Sequence, residues 1–316
     1  MSFLNVFGIF SINPISLYII KKRNCGGNMK VKINACDQDL EIHLEEYGKG
    51  KKGMPILFVH GIPTNARLWR HVQKNLENDF HSYAMDMVGY GQSSMPLDNF
   101  EHTFNNQAEA IKGVIEELGI KGNVILVGHD HGGGVCQVFA SKYCDYISRL
   151  VLLNPVAYDY WPVLEVEAFN GLVGASDEVL AGAMPGAVAQ FAGLMRTGSH
   201  DKIAFTDKNV KENYLCHWGR DGLTGFKSLV KICSQPTNEE TLAVDHKKIT
   251  CPTAVFWALH DAWMPKESGE RLKQDIAGPV RLQFIERAGH WSQEDRPDEV
   301  AAMIEDFITE WEGVKI

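Results

Sequence analysis

The feature that most restricts the fold is a series of short, uninterrupted apolar runs separated by helix-like stretches: Ile56-Leu57-Phe58-Val59, Val124-Ile125-Leu126-Val127, Leu150-Val151-Leu152-Leu153 and Ala254-Val255-Phe256-Trp257. A strand with one wet face alternates apolar with polar residues, whereas a strand covered on both faces is apolar throughout, so these runs read as inner strands of a parallel sheet. Helical patterns lie between them. Leu68 to Leu76 forms one, and Phe104, Ala108, Ile111, Ile115 and Leu118, spaced by fours and threes, line one face of another. Ser82 to Met85 and Val280 to Ile285 read as further strands, Leu40, Ile42 and Leu44 alternate as an outer one, and Val300, Ile304, Phe307 and Trp311 mark a closing helix. Strand alternating with helix specifies the α/β class, a mostly parallel twisted sheet flanked by helices.

The alternation stops between Asn154 and about Asp245, where Ala, Gly and Leu dominate with scattered aromatics. About 90 residues is too long for a structureless loop, so residues 155–245 read as a helical cap inserted after the sixth core strand. Ligands of open α/β sheets bind outside the carboxyl ends of the strands, and a cap entering there covers that place. The core then comprises residues 29–154 and 246–316. Residues 1–28 stand apart as an N-terminal extension outside the chemistry. Phe3 to Ile20 is mostly apolar and ends at Lys21, Lys22 and Arg23, but Asn5, Ser11, Asn13, Pro14 and Ser16 interrupt it. The stretch lacks the basic start and cleavage site of a signal peptide, which leaves peripheral membrane contact as the alternative reading.

With 31 Lys and Arg against 40 Asp and Glu, the formal charge is -9. A chain without basic excess has little with which to neutralise phosphates, so nucleic acid is not an expected partner. Cys25, Cys36, Cys136, Cys144, Cys216, Cys233 and Cys251 are odd in number, scattered and without a C-x-x-C pair, which fits reduced, mostly buried thiols in a cytoplasmic setting.

Val124 to Gly133 reads V-I-L-V-G-H-D-H-G-G, a strand running into a turn in which small residues flank Asp130. That is the form of a nucleophile elbow, where small neighbours let one side chain project from a strained strand-to-helix turn. Read alone, Asp130 could equally be a turn or N-cap aspartate. Three further residues follow strands in the same way: His60-Gly61-Ile62-Pro63 after the Ile56 run, Asp261 after the Ala254 run, and His290 after the Val280 run. Nucleophile, acid and histidine thus occur in the order Asp130, Asp261, His290. His129 and His131 make an H-x-H pair, but no third ligand is spaced to match and the elbow explains both, so no metal or other cofactor is expected. Gly132, Gly133 and Gly134 lack a following G-K-[ST] and read as close helix packing rather than a phosphate loop. Glu294, Arg296 and Asp298 read as capping the last helix.

From about Val31 to the C-terminus the chain resembles the α/β-hydrolase superfamily and, within it, the haloalkane dehalogenase and epoxide hydrolase branch. The strings that carry the resemblance are HGIPTNARLWR from His60, GYGQSSMP from Gly89, GHDHGG from Gly128 and AGHWSQEDRPDEV from Ala288. The resemblance implies an α/β-hydrolase fold with Asp130 as nucleophile, His290 as general base and Asp261 orienting it. The alternative acid position of this branch, after the sixth strand, is Asn154. The backbone N–H groups of Ile62 and His131 would form the oxyanion hole.

A carboxylate at the elbow needs no base to become nucleophilic, which frees the histidine for a second step. Attack on a saturated carbon makes an alkyl ester, and His290 would then activate the water that hydrolyses it. Dehalogenases resembling this chain place Trp right after the nucleophile, where His131 stands, and some have Asn where Ile62 stands. Trp161 or Trp218 could supply an N–H from the cap instead. The arginines of fluoroacetate dehalogenases are Gly and His here. Epoxide hydrolases use two cap Tyr hydroxyls to protonate the alkoxide, for which Tyr158, Tyr160 and Tyr214 are candidates. The expectation is therefore a cofactor-free hydrolase of a small or medium apolar substrate, epoxide hydrolase-like before haloalkane dehalogenase-like. The rivals are an ester, lactone or C–C bond hydrolase and a non-catalytic binding member of the fold.

Overall fold

A computed structural model describes residues 27–202 and 205–311. Eight strands form one sheet: β1 (Gly27–Ala35), β2 (Gln38–Tyr47), β3 (Ile56–Val59), β4 (Ser82–Met85), β5 (Ile125–His129), β6 (Arg149–Pro155), β7 (Thr253–Ala258) and β8 (Val280–Ile285). Their order is β1-β2-β4-β3-β5-β6-β7-β8. β1 and β2 form an antiparallel hairpin, β2 also runs antiparallel to β4, and every other neighbouring pair is parallel. The inner strands β3, β5, β6 and β7 are buried along their whole length, as their unbroken apolar runs require. β8, at the edge, is only partly covered.

Core helices α1 (Arg70–Leu76), α2 (Phe104–Glu117) and α3 (Asp130–Lys142) fall between the strands. Leu68 and Trp69 belong to a short 3-10 turn, Ala66–Trp69, that precedes α1, so the anticipated helix starts later than its apolar spacing suggests. Thr103 caps α2 by accepting the N–H of Asn106, and Phe104, Ala108, Ile111 and Ile115 bury the face anticipated from their spacing. Between β6 and β7 the described residues form α4 (Leu164–Glu167), α5 (Asp177–Thr197), α6 (Asp207–Asn213), α7 (Thr224–Ser234), α8 (Asn238–Leu242) and 3-10 turns, with no strand among them. This stretch roofs the carboxyl ends of the inner strands. By length and composition α5 could cross a membrane, yet it turns Leu180, Phe191, Ala192 and Met195 into the protein. The chain finishes with α9 (Lys266–Asp275), α10 (Ser292–Asp295) and α11 (Pro297–Glu310).

The hairpin strand β1 extends the sheet beyond the alternation seen at Leu40. Val31, Ile33 and Ala35 face the core while Lys30, Lys32 and Asn34 face water. Apart from Gly27 and Asn28, the N-terminal extension lies outside the described residues, and so does the membrane contact considered for it. Cys136, Cys233 and Cys251 are buried as anticipated, but Cys36, in the β1–β2 turn, and Cys216 are exposed and Cys144 is half-buried.

Candidate active site

The elbow is strained as its sequence anticipates: Asp130 has φ of 51°, a left-handed conformation unfavourable for any residue with a Cβ. β5 enters the turn and α3 leaves it, so the carboxylate projects beyond the sheet. Two glycines make room for the approach of the neighbouring loop. A Cβ on Gly61 would lie 2.3 Å from Asp130 Oδ2, and one on Gly132 would lie 2.1 Å from the carbonyl oxygen of His60. The close approach lets the backbone N–H of Ile62 donate to Asp130 Oδ2 at 2.9 Å. The backbone N–H of His131 also bonds this carboxylate. Gly133 packs against Pro155 and Gly134 against Phe104, which leaves the glycine run to helix packing.

His290 stands across from the elbow, its Nε2 3.7 Å from Asp130 Oδ1. Its Nδ1 is 2.8 Å from Asp261 Oδ2. Asp261 is itself held on both oxygens: Oδ1 accepts the backbone N–H groups of Trp263 and Met264 at 2.8 and 3.0 Å, and Oδ2 also accepts Asn154 Nδ2 at 2.8 Å. Asn154, at the end of β6 with φ of 38°, meanwhile accepts the N–H of Ala258 at 2.9 Å. The residue at the alternative acid position thus fixes the acid that follows β7. Sequence reasoning gave Asn154 no such part.

Burial raises the pKa of Asp130, and His290 with the two N–H groups pulls it back toward ionisation. Burial also works against a charged His290, but the charge and hydrogen bond of Asp261, with Asp130 beyond, raise its pKa overall. The flanking histidines are of another kind. Desolvation holds His131 down to about 3 and His129 well below the ordinary value, so both are neutral. His129 Nε2 lies 2.8 Å from the carbonyl oxygen of His290 and supports that residue from behind, while His131 packs on Phe104 and Trp161.

The loop of His290 is tied to the roof. Its N–H donates to the carbonyl of Gly198 at 2.8 Å. Asp295 collects the N–H groups of Gly289, His200 and Asp201, each at 2.8 Å, together with the hydroxyl of Ser199. Glu294 does not cap the last helix as anticipated. It is buried against Arg70 of α1 and the Tyr214 hydroxyl, because α10 turns that side chain inward.

A cavity of about 40 Å³ lies over Asp130 and His290. Ile62 and Pro63 bound it from the core, Trp263, Met264 and Trp291 from the loops after β7 and β8, and Trp161, Val163, Val166, Phe191 and Leu194 from the roof. Glu165 is its only other charged lining residue among those described. None of the three candidate tyrosines lines it. The Tyr158 hydroxyl donates to Asp275 at 2.9 Å under the Arg271 guanidinium, the Tyr214 hydroxyl is engaged with Arg70 and Glu294, and Tyr160 is exposed. Trp161 is at the cavity, but its indole N–H donates to the carbonyl of Pro236 at 3.0 Å. Trp218 packs on Tyr90 away from the lining. The indole N–H of Trp291 is buried without a partner on a lining residue. The signal for it was the aromatic directly after His290 in A-G-H-W.

The strained turn at the carboxyl end of β5, the N–H pair on its carboxylate and the histidine after β8 held by Asp261 form the arrangement expected of an enzyme of the α/β-hydrolase type. Residues 54–297 match the family described as alpha/beta hydrolase fold, and the chain belongs to it. Its relatives place it in the epoxide hydrolase and haloalkane dehalogenase branch, as a hydrolase. It is 27% identical to "Epoxide hydrolase 3" of Xenopus tropicalis, over 86% of this chain and 76% of that protein. It is 37% identical to "Haloalkane dehalogenase" of Agrobacterium fabrum over a shorter stretch, 37% of this chain and 36% of the relative. Among solved structures, "Epoxide hydrolase CorEH without ligand" superposes with a TM-score of 0.74 at 21% identity, covering 90% of this chain and 99% of that one.

Proposed function

We propose that the chain hydrolyses a small electrophile at a saturated carbon through an ester on Asp130. The observation that carries this reading is the division of labour on one carboxylate: Oδ2 takes the N–H of Ile62, while Oδ1 lies 3.7 Å from His290 Nε2. Oδ1 attacks the carbon and the leaving group departs with the bonding pair. Water, deprotonated by His290, then adds to the Asp130 carbonyl carbon; Oδ2 becomes the oxyanion where the two N–H groups already point. Collapse expels the alkoxide, which takes the proton from His290; the Asp130 carboxylic acid left behind loses its proton to solvent, where it balances a departed halide or replaces the proton that an opened epoxide oxygen has taken up, and the carboxylate returns.

An epoxide is the first substrate class, supported by the relatives named as epoxide hydrolases, which match most of this chain. A haloalkane is the second. The observation in its favour is the unpartnered Trp291 indole N–H beside a cavity without a Tyr hydroxyl, since a halide needs a donor and no acid. Intact mass of the His290→Gln variant after exposure to terminal epoxides and short bromoalkanes tests the reading. An adduct on Asp130 with the mass of the whole epoxide, or of an alkyl group without its halogen, identifies the substrate class. A folded variant that gains no mass across both sets overturns the ester mechanism.

A further inference from the structure

The cavity has polar chemistry beyond the catalytic residues. Glu165, half-buried on α4, accepts the indole N–H of Trp263 at 3.4 Å. The Trp263 ring in turn stands edge-on to His290 at 5.2 Å between centroids. Trp161, Phe191, Trp263 and Trp291 line the same cavity as this carboxylate and Asp130. With their indole N–H groups spent on Pro236 and Glu165, Trp161 and Trp263 offer π surface rather than hydrogen-bond donors. No Lys or Arg is among the described lining residues. Aromatic walls with a carboxylate and no Lys or Arg make an environment that attracts an organic cation.

We propose that this chamber selects substrates carrying a compact ammonium or quaternary ammonium group, held between Glu165 and the aromatic walls while the electrophilic carbon faces Asp130. The inference rests on the ester-forming reading for its orientation, but the cation site is testable by binding alone. Glu165 is here a specificity-determining residue. It touches the charged end of the substrate and takes no part in bond making, and the chain's overall charge of -9 favours the approach of such substrates.

Calorimetric titration with choline and its uncharged carbon isostere 3,3-dimethylbutan-1-ol, at low salt, reads the charge preference directly. Wild type should bind choline about 10-fold more tightly than the isostere. Glu165→Gln, which keeps an acceptor for Trp263 but loses the charge, should remove most of that preference while leaving the isostere's affinity unchanged. Equal affinities in wild type, no binding of either, or an equal loss of both in the variant would overturn the proposal; the last would make Glu165 a mere support for Trp263. A matching split is expected in kcat/KM between 2-bromoethyl-trimethylammonium and 1-bromo-3,3-dimethylbutane, or between glycidyltrimethylammonium and neopentyloxirane. Charge discrimination in binding without any ester in His290→Gln would sink the mechanism and keep the cation site. An ester formed from charged and neutral substrates alike would do the reverse.

Discussion

The two oxygens of Asp130 have different neighbours, so the oxygens of product and water are separable. In a single turnover in ¹⁸O-water with enzyme in excess, the product alcohol should carry unlabelled oxygen from Oδ1, and the label should appear in Asp130. Product labelled in the first turnover would mean direct attack by water. Asp130→Asn should lower kcat/KM by about 10⁴-fold or more, since a neutral amide is a poor nucleophile. The pH dependence follows from the directions of the shifts. Ester formation needs ionised Asp130, whose pKa is raised, so its rate should climb with pH through a midpoint above the ordinary 3.8. Hydrolysis needs neutral His290, also raised, so the second half should climb through a midpoint above 6.5. Esterification removes the charge of Asp130 but leaves that of Asp261, and Asp261→Asn should therefore move the second midpoint down while slowing the step. Asn154→Ala should cost about 10- to 100-fold in kcat by letting the acid swing, with KM little changed. This part of Asn154 was hidden in the sequence, because a side chain from β6 and a carboxylate after β7 meet only once the two strands pair. That Asp130, Asp261 and His290 come together was legible because each follows a strand in a recognisable string.

Among elements, β4 and β8 match their apolar spans residue for residue, and α2 ends one residue short of Leu118. β1 was the omission. Its alternation is plain, but the hairpin turn is made by Cys36 and Asp37, with φ of 53° and 59°, and carries no glycine to announce it. The tyrosines show a different limit. A hydroxyl in a helical stretch cannot be assigned a target from its neighbours in sequence when its partners are Asp275, Glu294 and Arg70. Two element-scale outcomes are expected. Gly132→Ala should drive α3 off the His60 loop and remove the N–H of Ile62 from Asp130, cutting activity by at least about 100-fold with circular dichroism showing the fold retained. Arg70→Met leaves Glu294 buried without its cation and should cost about 3–5 kcal/mol of stability by denaturant unfolding.

At the scale of the whole molecule, the sheet supplies a rigid floor and the helical stretch between β6 and β7 sets the ceiling. Leu194 and Phe191 bound the cavity from that ceiling, opposite Asp130 and His290 on the floor. Across a homologous series of terminal epoxides or bromides, kcat/KM should peak at the shortest chains, and Leu194→Ala should move the optimum to longer ones. A peak that stays put in the variant would mean that Leu194 does not bound the substrate.

The anchoring of His290 to Gly198, and of its loop to the 199–201 segment through Asp295, gives the two chemical steps unequal demands. On the ester reading, capture uses a carboxylate held by the backbone of Ile62 and His131, whereas release uses a histidine whose own backbone hangs from the roof. A disturbance of the 198–201 segment would therefore be felt in the freeing of product before it is felt in the taking of substrate.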